Sequence, residues 1–310
     1  MKNNVVCLGH CAWDLFLVVE TFPMNDTKCE AVEFFEQGGG PAATGAVTLA
    51  RLGARAVIAS KIGDDEWGRK ILAGFVSEHV NTTGLIVEHD RTSPLSCILV
   101  EQKTGKRTII HHRGSVDPLS EDDIASDLIA SADLLLIDSL HPEAALAAAR
   151  MARAAGIRVV LDTGACKPGA VDLVRQSDVI IAPEYFAPKF TPGKTLAEMA
   201  RHLFHHGAEI VVVTRGERGG VCFTEQEEFA FPAFQVDVVD TTGAGDVFHG
   251  AFAYGLVREW DLRRAATFAS AVAALKCARL GGRRGIPTFK EALDFLRQRA
   301  VEPELFSTAQ

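Results

Sequence analysis

Short apolar runs alternate with longer amphipathic stretches along most of the chain. Val5–Gly9, Ala56–Ile62, Leu134–Asp138, Ile157–Asp162, Val179–Ala182 and Glu209–Thr214 are almost continuously apolar, the pattern of strands buried on both faces. Between them, Pro41–Leu52, Asp65–Val80, Pro142–Ala155, Thr195–His206, Ala244–Glu259 and Leu262–Ala278 carry helical periodicity. The Ala-rich helix from Glu143 ends at Gly156, a C′ glycine. Strand–helix alternation of this kind predicts an α/β fold, a parallel sheet covered on both faces.

Two places break the rhythm. Asp14–Val19 with Cys29–Phe35, and Leu95–Glu101 with Arg107–His112, read as strands joined by turns, the second pair a hairpin around Lys103-Thr104-Gly105-Lys106. These segments, about 13–36 and 94–113, predict a small sheet laid over the edge of the main body as a lid. With no linker, repeat or low-complexity stretch, residues 1–310 are expected to form one domain carrying that lid.

Composition narrows the partners. The 310 residues are 47% hydrophobic and 23% charged, with a net charge of −8, which argues against nucleic acid as the main partner but not against a small anionic ligand. No apolar run approaches the roughly 20 residues of a membrane span. The segment before Val5 is too short for a signal peptide, so a cytoplasmic protein is expected. Seven scattered cysteines without a Cys-x-x-Cys pair suit reduced thiols. His202, His205 and His206 have no placed carboxylate partner and read as a solvated helix face. His111 and His112 instead end a lid strand facing the presumed cleft.

The chemistry concentrates at Val239-Asp240-Thr241-Thr242-Gly243-Ala244-Gly245-Asp246-Val247-Phe248. A helix that starts at a glycine-rich turn aims free amides and its positive dipole end at whatever lies in front of it, an anion hole. Asp246 falls in the first turn of that helix, placed to take a proton from a hydroxyl beside the anion. Base and cradle together suit phosphoryl transfer to an alcohol. A second glycine-rich turn, Gln37-Gly38-Gly39-Gly40-Pro41-Ala42-Ala43-Thr44-Gly45-Ala46, opens the first helix, with Pro41 in its first turn. Familiar nucleotide signatures are absent. Gly9-His10-Cys11-Ala12 lacks the Gly-x-Gly-x-x-Gly pattern after the first strand, and Gly193-Lys194-Thr195 fails as a P-loop because Pro188 stands where its first glycine belongs.

In this order the pieces resemble the ribokinase-like, PfkB-type carbohydrate kinases over essentially the whole chain. Gly39-Gly40 through Gly53 is similar to that family's first signature, and Asp240–Asp246 to its second. The resemblance implies a three-layer αβα sandwich with a mostly parallel central sheet and a β-sheet lid. It implies Asp246 as catalytic base, Gly243, Ala244 and Gly245 as the anion hole, and Asp14, Gly39, Gly40 and Thr44 as sugar contacts. Thr214-Arg215-Gly216 with Gly219-Gly220 is similar to the turn lying along ATP, and Gly281-Gly282 to the segment walling the adenine. ATP with Mg²⁺ is the implied cofactor, with a monovalent cation such as K⁺ at Asp240 and Thr242. Lid strands often pair across a dimer in this family, which implies a homodimer.

The subgroup that the chain resembles is the sulfofructose kinases, through Gly38–Thr44, Val236–Gly250, Val272–Cys277 and Gly281-Gly282-Arg283. Departures accompany the likeness. Thr44 stands where many members have Asn, and Gly285 lacks the side-chain oxygen of the cation site. The family's Asn-x-x-Glu motif falls at Glu184-Tyr185-Phe186-Ala187, which leaves Glu184 as the candidate Mg²⁺ ligand. His111 and Leu140 replace the Asn and Arg expected beside a sulfonate, with Lys28 retained as an anion contact. The expected activity is ATP-dependent phosphorylation of a primary hydroxyl on a ketose or related sugar. The alternatives are a sulfofructose kinase, a nucleoside kinase using Phe16, Phe34 and Phe35 to stack a base, and a non-catalytic sugar sensor.

Overall fold

The computed structural model describes residues 3–164, 170–299 and 301. Its larger sheet has nine strands: β1 (Asn4–Leu8), β4 (Arg55–Gly63), β5 (Asn81–Glu88), β8 (Leu134–Asp138), β9 (Arg158–Asp162), β10 (Val179–Pro183), β11 (Ile210–Thr214), β12 (Gly220–Phe223) and β13 (Glu228–Phe231). Their order is β13-β12-β11-β10-β9-β8-β1-β4-β5, and every pairing from β11 to β5 is parallel. The antiparallel pairs β11–β12 and β12–β13 finish one edge.

Alternation along the strands feeds two cores. Val5 and Cys7 point to one layer, Val6 and Leu8 to the other. The first layer is covered by α1 (Pro41–Arg51), α2 (Glu66–Ser77), α8 (Ala244–Val257), α9 (Leu262–Cys277) and α10 (Phe289–Gln298). The second is covered by α3 (Ser126–Ala130), α4 (Pro142–Ala154), α5 (Ala170–Arg175) and α7 (Leu196–His205), with the short α6 (Ala187–Phe190) beside them. The helix ends follow their glycines: Gly53 and Gly156 both take positive φ, at 95° and 70°.

A smaller sheet, ordered β3-β2-β6-β7, joins β2 (Ala12–Val19), β3 (Glu33–Gly39), β6 (Leu95–Glu101) and β7 (Arg107–His112). The expected strand at Cys29–Phe35 is displaced, because β3 continues through its glycines, with Gly38 opposite Trp13 and Gly39 opposite Ala12. Side chains at those two positions would collide with Arg283 and Asp14, so glycine is what lets the ladder run on. Phe16 and Phe35 stack at 4.6 Å inside this sheet's own core with Ile98 and Val100, while Phe34 is exposed. None of the three lines the cleft, so they do not form the base-stacking surface that a nucleoside kinase reading requires.

His202 and His205 are exposed on α7, as expected of a solvated face. Cys7, Cys11, Cys29, Cys97, Cys222 and Cys277 are free thiols; Cys166 lies outside the described residues. No described helix is long and apolar enough to cross a membrane.

Both glycine-rich turns are brought together by one helix crossing. A Cβ on Gly250 of α8 would sit 2.7 Å from the Gly45 carbonyl of α1 and 2.9 Å from Cβ of Thr48. Gly250→Val is therefore expected to lower the unfolding free energy by about 3 kcal/mol, measured by urea denaturation. An unchanged midpoint would show that the crossing tolerates a wider spacing.

Candidate active site

The carboxyl ends of β8, β9, β10 and β11 open under the smaller sheet into a cleft of about 800 Å³, the usual ligand position in an open α/β sheet. Four carboxylates converge there. Asp246 and Asp14 line it from α8 and β2, Asp162 lines it from the end of β9, and Asp138 stands behind at the end of β8.

The α8 N-terminus is built as the sequence predicts. Gly243 adopts a left-handed conformation at φ 72°, and no side chain caps the helix, so its first amides face the cleft. Asp240, fully buried, fastens the preceding turn: one carboxylate oxygen accepts from the Thr242 amide at 2.8 Å and hydroxyl at 2.7 Å, the other from the Gly281 amide at 2.8 Å. The Gly282 backbone lies where a Cβ on Gly243 would meet it at 3.1 Å, so two glycine turns close against each other. Arg107 of β7 donates to the Thr241 hydroxyl at 2.8 Å, tying the smaller sheet to this turn.

Asp246 has its carboxyl pushed up to about 7, by burial first and by the charge of Asp162 next, with His249 opposing. His249, one helical turn on, is buried with its Nδ1 3.0 Å from Asp162 Oδ2. Burial disfavours its charge, but Asp162 and Asp246 outweigh that and move it upward. The other Asp162 oxygen accepts from the Gly164 amide at 2.8 Å.

Asp14, whose charge also reaches Asp246, is buried between its β3 and β6 neighbours Gln37 and Ser96. Burial pushes its carboxyl up to about 6, with the Arg283 charge and the Ser96 hydroxyl opposing. Arg283 is itself buried; its Nη2 donates to the Gly39 carbonyl at 2.9 Å and its Nε to the Thr44 hydroxyl at 3.3 Å. Burial brings its pKa down to about 10, against the favourable pull of Asp14. Asp138 gathers the amides of His10 at 2.8 Å, Ala42 at 3.2 Å and Leu140 at 2.9 Å, and so fixes the start of α1. The ring of His10 lies 5.2 Å from His111 and 5.9 Å from His141, and all three line the cleft.

The expected residues separate on this geometry. Asp246, Gly243, Ala244, Gly245, Asp14, Gly39, Gly40, Thr44, His111, Thr214, Gly216, Gly282 and Thr242 all line the cleft. Gly219 and Gly281 shape adjacent turns at φ 74° and 94°. Lys28 is exposed in the loop between β2 and β3 and is not brought to the cleft. Glu184 is held by Arg215 at 3.1 Å and by Arg218, outside the cleft lining. Asp138, Asp162, His249 and the role of Arg283 were not anticipated. The signals were Asp at the ends of two predicted strands and His three residues after Asp246.

Replacing Arg283 by Met should move the Asp14 carboxyl further above 6, because its principal opposing charge is gone, and should cost about 3 kcal/mol of stability. Carboxyl-carbon NMR titration and urea unfolding read the two effects. An unshifted Asp14 would mean that the guanidinium does not govern it.

Comparison with known proteins follows the same lines. The chain is 28% identical over 298 residues to the ribokinase of Bacillus subtilis, covering 95% of this chain and 99% of that one. It is 30% identical over 305 residues to the ATP-dependent ribose-1-phosphate kinase of Halopiger xanaduensis, covering 96% and 99%. The crystal structure of ribokinase from Thermotoga maritima superposes with a TM-score of 0.84 at 27% identity, over 96% of this chain and 100% of that one. The model of the pfkB family carbohydrate kinases matches residues 2–289. With that model spanning nearly the whole chain, the chain belongs to the pfkB family of carbohydrate kinases.

Proposed function

We propose that the protein transfers the γ-phosphoryl group of ATP to a primary hydroxyl of a ketose or related sugar. The observation that carries this reading is Asp246 in the first turn of an uncapped helix, facing a cleft that Asp14 also lines. Asp14 accepts hydrogen bonds from the sugar hydroxyls, beside Gly39, Gly40 and Thr44. Its carboxylate is kept in place by Ser96 and the charge of Arg283. Thr214, Gly216 and the Gly281-Gly282 turn take the nucleotide. The acceptor hydroxyl gives its proton to Asp246, while the amides of Gly243–Asp246 steady the charge on the transferring phosphoryl.

Mg²⁺ would be held by Asp162, a hard-oxygen ligand that lines the cleft with the Gly164 amide and His249 as its present partners, rather than by Glu184, which lies outside the cleft lining and pairs with two arginines. When bound it supplies charge neutralisation across the phosphates. The smaller sheet acts as the lid; Arg107, bonded to Thr241, couples it to the anion hole, and its closure excludes water. Its outer face, with Phe34 and Ile110 exposed, suits the pairing of two lids in a homodimer.

A second reading is favoured by the sugar end of the cleft. His10, His111 and His141 cluster there, and Arg113 also lines the cleft, which suits an acceptor already carrying an anionic group, a sugar phosphate or a sulfonated sugar such as sulfofructose. Among relatives, names such as ribokinase and ribose-1-phosphate kinase cover both neutral and charged acceptors. The ordered Asp246 site argues against a non-catalytic sensor.

ADP release from MgATP, measured across fructose, sulfofructose, hexose phosphates, ribose and adenosine, tests the reading. Turnover with a sugar should fall about 10³-fold in Asp246→Asn without loss of fold; near-normal turnover in the variant would remove Asp246 from the role of base. The base works deprotonated and its pKa is raised to about 7, so kcat/KM should hold above that pH and fall roughly tenfold for each unit below it. An acid limb near 4 would contradict the assignment.

A further inference from the structure

Lys276, in the last turn of α9, is the one lysine among the described residues with no exposed surface. The mechanism above does not use it. An ammonium in that position is costly unless something in the fold requires its charge. Its Nζ donates to the main-chain carbonyl of Asp240 at 2.8 Å. The next residue of α9, Cys277, accepts through its carbonyl from the amides of Val239 at 2.9 Å and Asp240 at 3.2 Å. Asp240 is thus fixed at its amide, its carbonyl and both carboxylate oxygens. The chain it fixes leads directly through Thr241 and Thr242 into the left-handed Gly243 that opens the anion hole. Burial brings the Lys276 pKa below the ordinary lysine value, with Arg107 adding to that, while Asp240, Cys277 and Asp246 hold the charge in place against it.

The donor set does not suit a freely exchanging monovalent cation at Asp240 and Thr242. Both Asp240 carboxylate oxygens already accept hydrogen bonds, the Thr242 hydroxyl is turned to one of them, and the Asp240 carbonyl accepts from the ammonium. Gly285 offers no side-chain oxygen, and a Cβ there would run into the Lys276 backbone. An ammonium group and K⁺ are similar in size and charge. We propose that Lys276 is a tethered cation: its ammonium takes the place of a bound monovalent ion behind the anion hole, positioning the Thr241–Gly243 turn, so that the reaction needs no K⁺. Lys276 is a positioning residue that acts through Asp240, and the proposal rests on the phosphoryl-transfer reading of the Gly243–Asp246 turn.

The test compares the full-length protein with Lys276→Ala and Lys276→Met in chloride salts of tetramethylammonium, Na⁺, K⁺ and NH₄⁺. The wild type should show the same kcat in all four. Lys276→Ala, which leaves a cation-sized space, should lose about 10²-fold in kcat with little change in sugar KM, and NH₄⁺ or K⁺ should restore much of it. Lys276→Met fills the space without charge, so it should lose a similar factor and not be rescued. A purely structural lysine would give no difference between the salts in either variant. Stimulation of the wild type by K⁺, wild-type kcat in Lys276→Met, or an unrescued Lys276→Ala would each overturn the proposal. The affinity for MgATP, measured by calorimetry in the same salts, gives the same comparison without an acceptor. A wild type that phosphorylates no sugar would then count against the kinase reading while Lys276 is still decided. Should Lys276→Ala not fold, the Met variant and the wild-type salt series decide alone.

Discussion

The site depends on how closely α1 and α8 approach. Gly250 lets the α8 backbone meet that of α1 at Gly45, where a Cβ would collide with the Gly45 carbonyl, and each helix begins in a glycine-rich turn. Close packing of these two helices therefore carries Gly39 and Gly40 to one part of the cleft and Gly243 to Asp246 to the other. Small residues act here much as they do in tightly crossed helices elsewhere: they add little contact area themselves and set a distance. The chemistry inherits that distance. In the proposed reaction, a base and an anion hole on α8 act on a sugar held by α1 and the smaller sheet only if that separation is kept.

Charge is the second organising constraint. Burying carboxylates near one another raises their pKa values, and Asp246, Asp14 and Asp138 are all pushed up, to about 7, 6 and 6. Their surroundings then divide the work. Asp138 receives three backbone amides and serves the fold. Asp14 faces a buried guanidinium, which suits it to the sugar-holding role proposed for it. Asp246 receives neither, which leaves it as the carboxylate best suited to exchange a proton. Three buried basic groups stand behind these acids: Arg283 beside Asp14, His249 beside Asp162, and Lys276 behind the turn that opens α8.

Much of this was legible in the residues because local chemistry dictated it. The buried parallel strands announce themselves as apolar runs, and Leu134–Asp138 needed no adjustment at either end. The Gly-Ala-Gly-Asp turn reads directly as a helix start, since only the backbone is required to build it. Elements whose signal comes from tertiary contact were harder. The β5 strand lies on an edge with mixed exposure, and β12 and β13 have only four residues each, too few for a period to show. The α10 helix could have been found from its Thr288–Glu291 capping box. Lys28 was placed at the site by likeness, yet its loop leaves it exposed. Arg283 and Lys276 look in sequence like ordinary surface cations; only the folding of their segments against Asp14 and Asp240 makes them internal charges.

The account stands or falls on where a phosphate sits relative to α8. The most direct measurement is a crystal structure of the protein with Mg²⁺ and a non-hydrolysable ATP analogue. The γ-phosphoryl oxygens are expected within hydrogen-bond distance of the Gly243–Asp246 amides, with the Asp246 carboxylate free beside them, turned toward Asp14 across the sugar space. A terminal phosphate bound away from that helix start, or one whose Mg²⁺ is held by Asp246 itself, would contradict the assignment of Asp246 as the base.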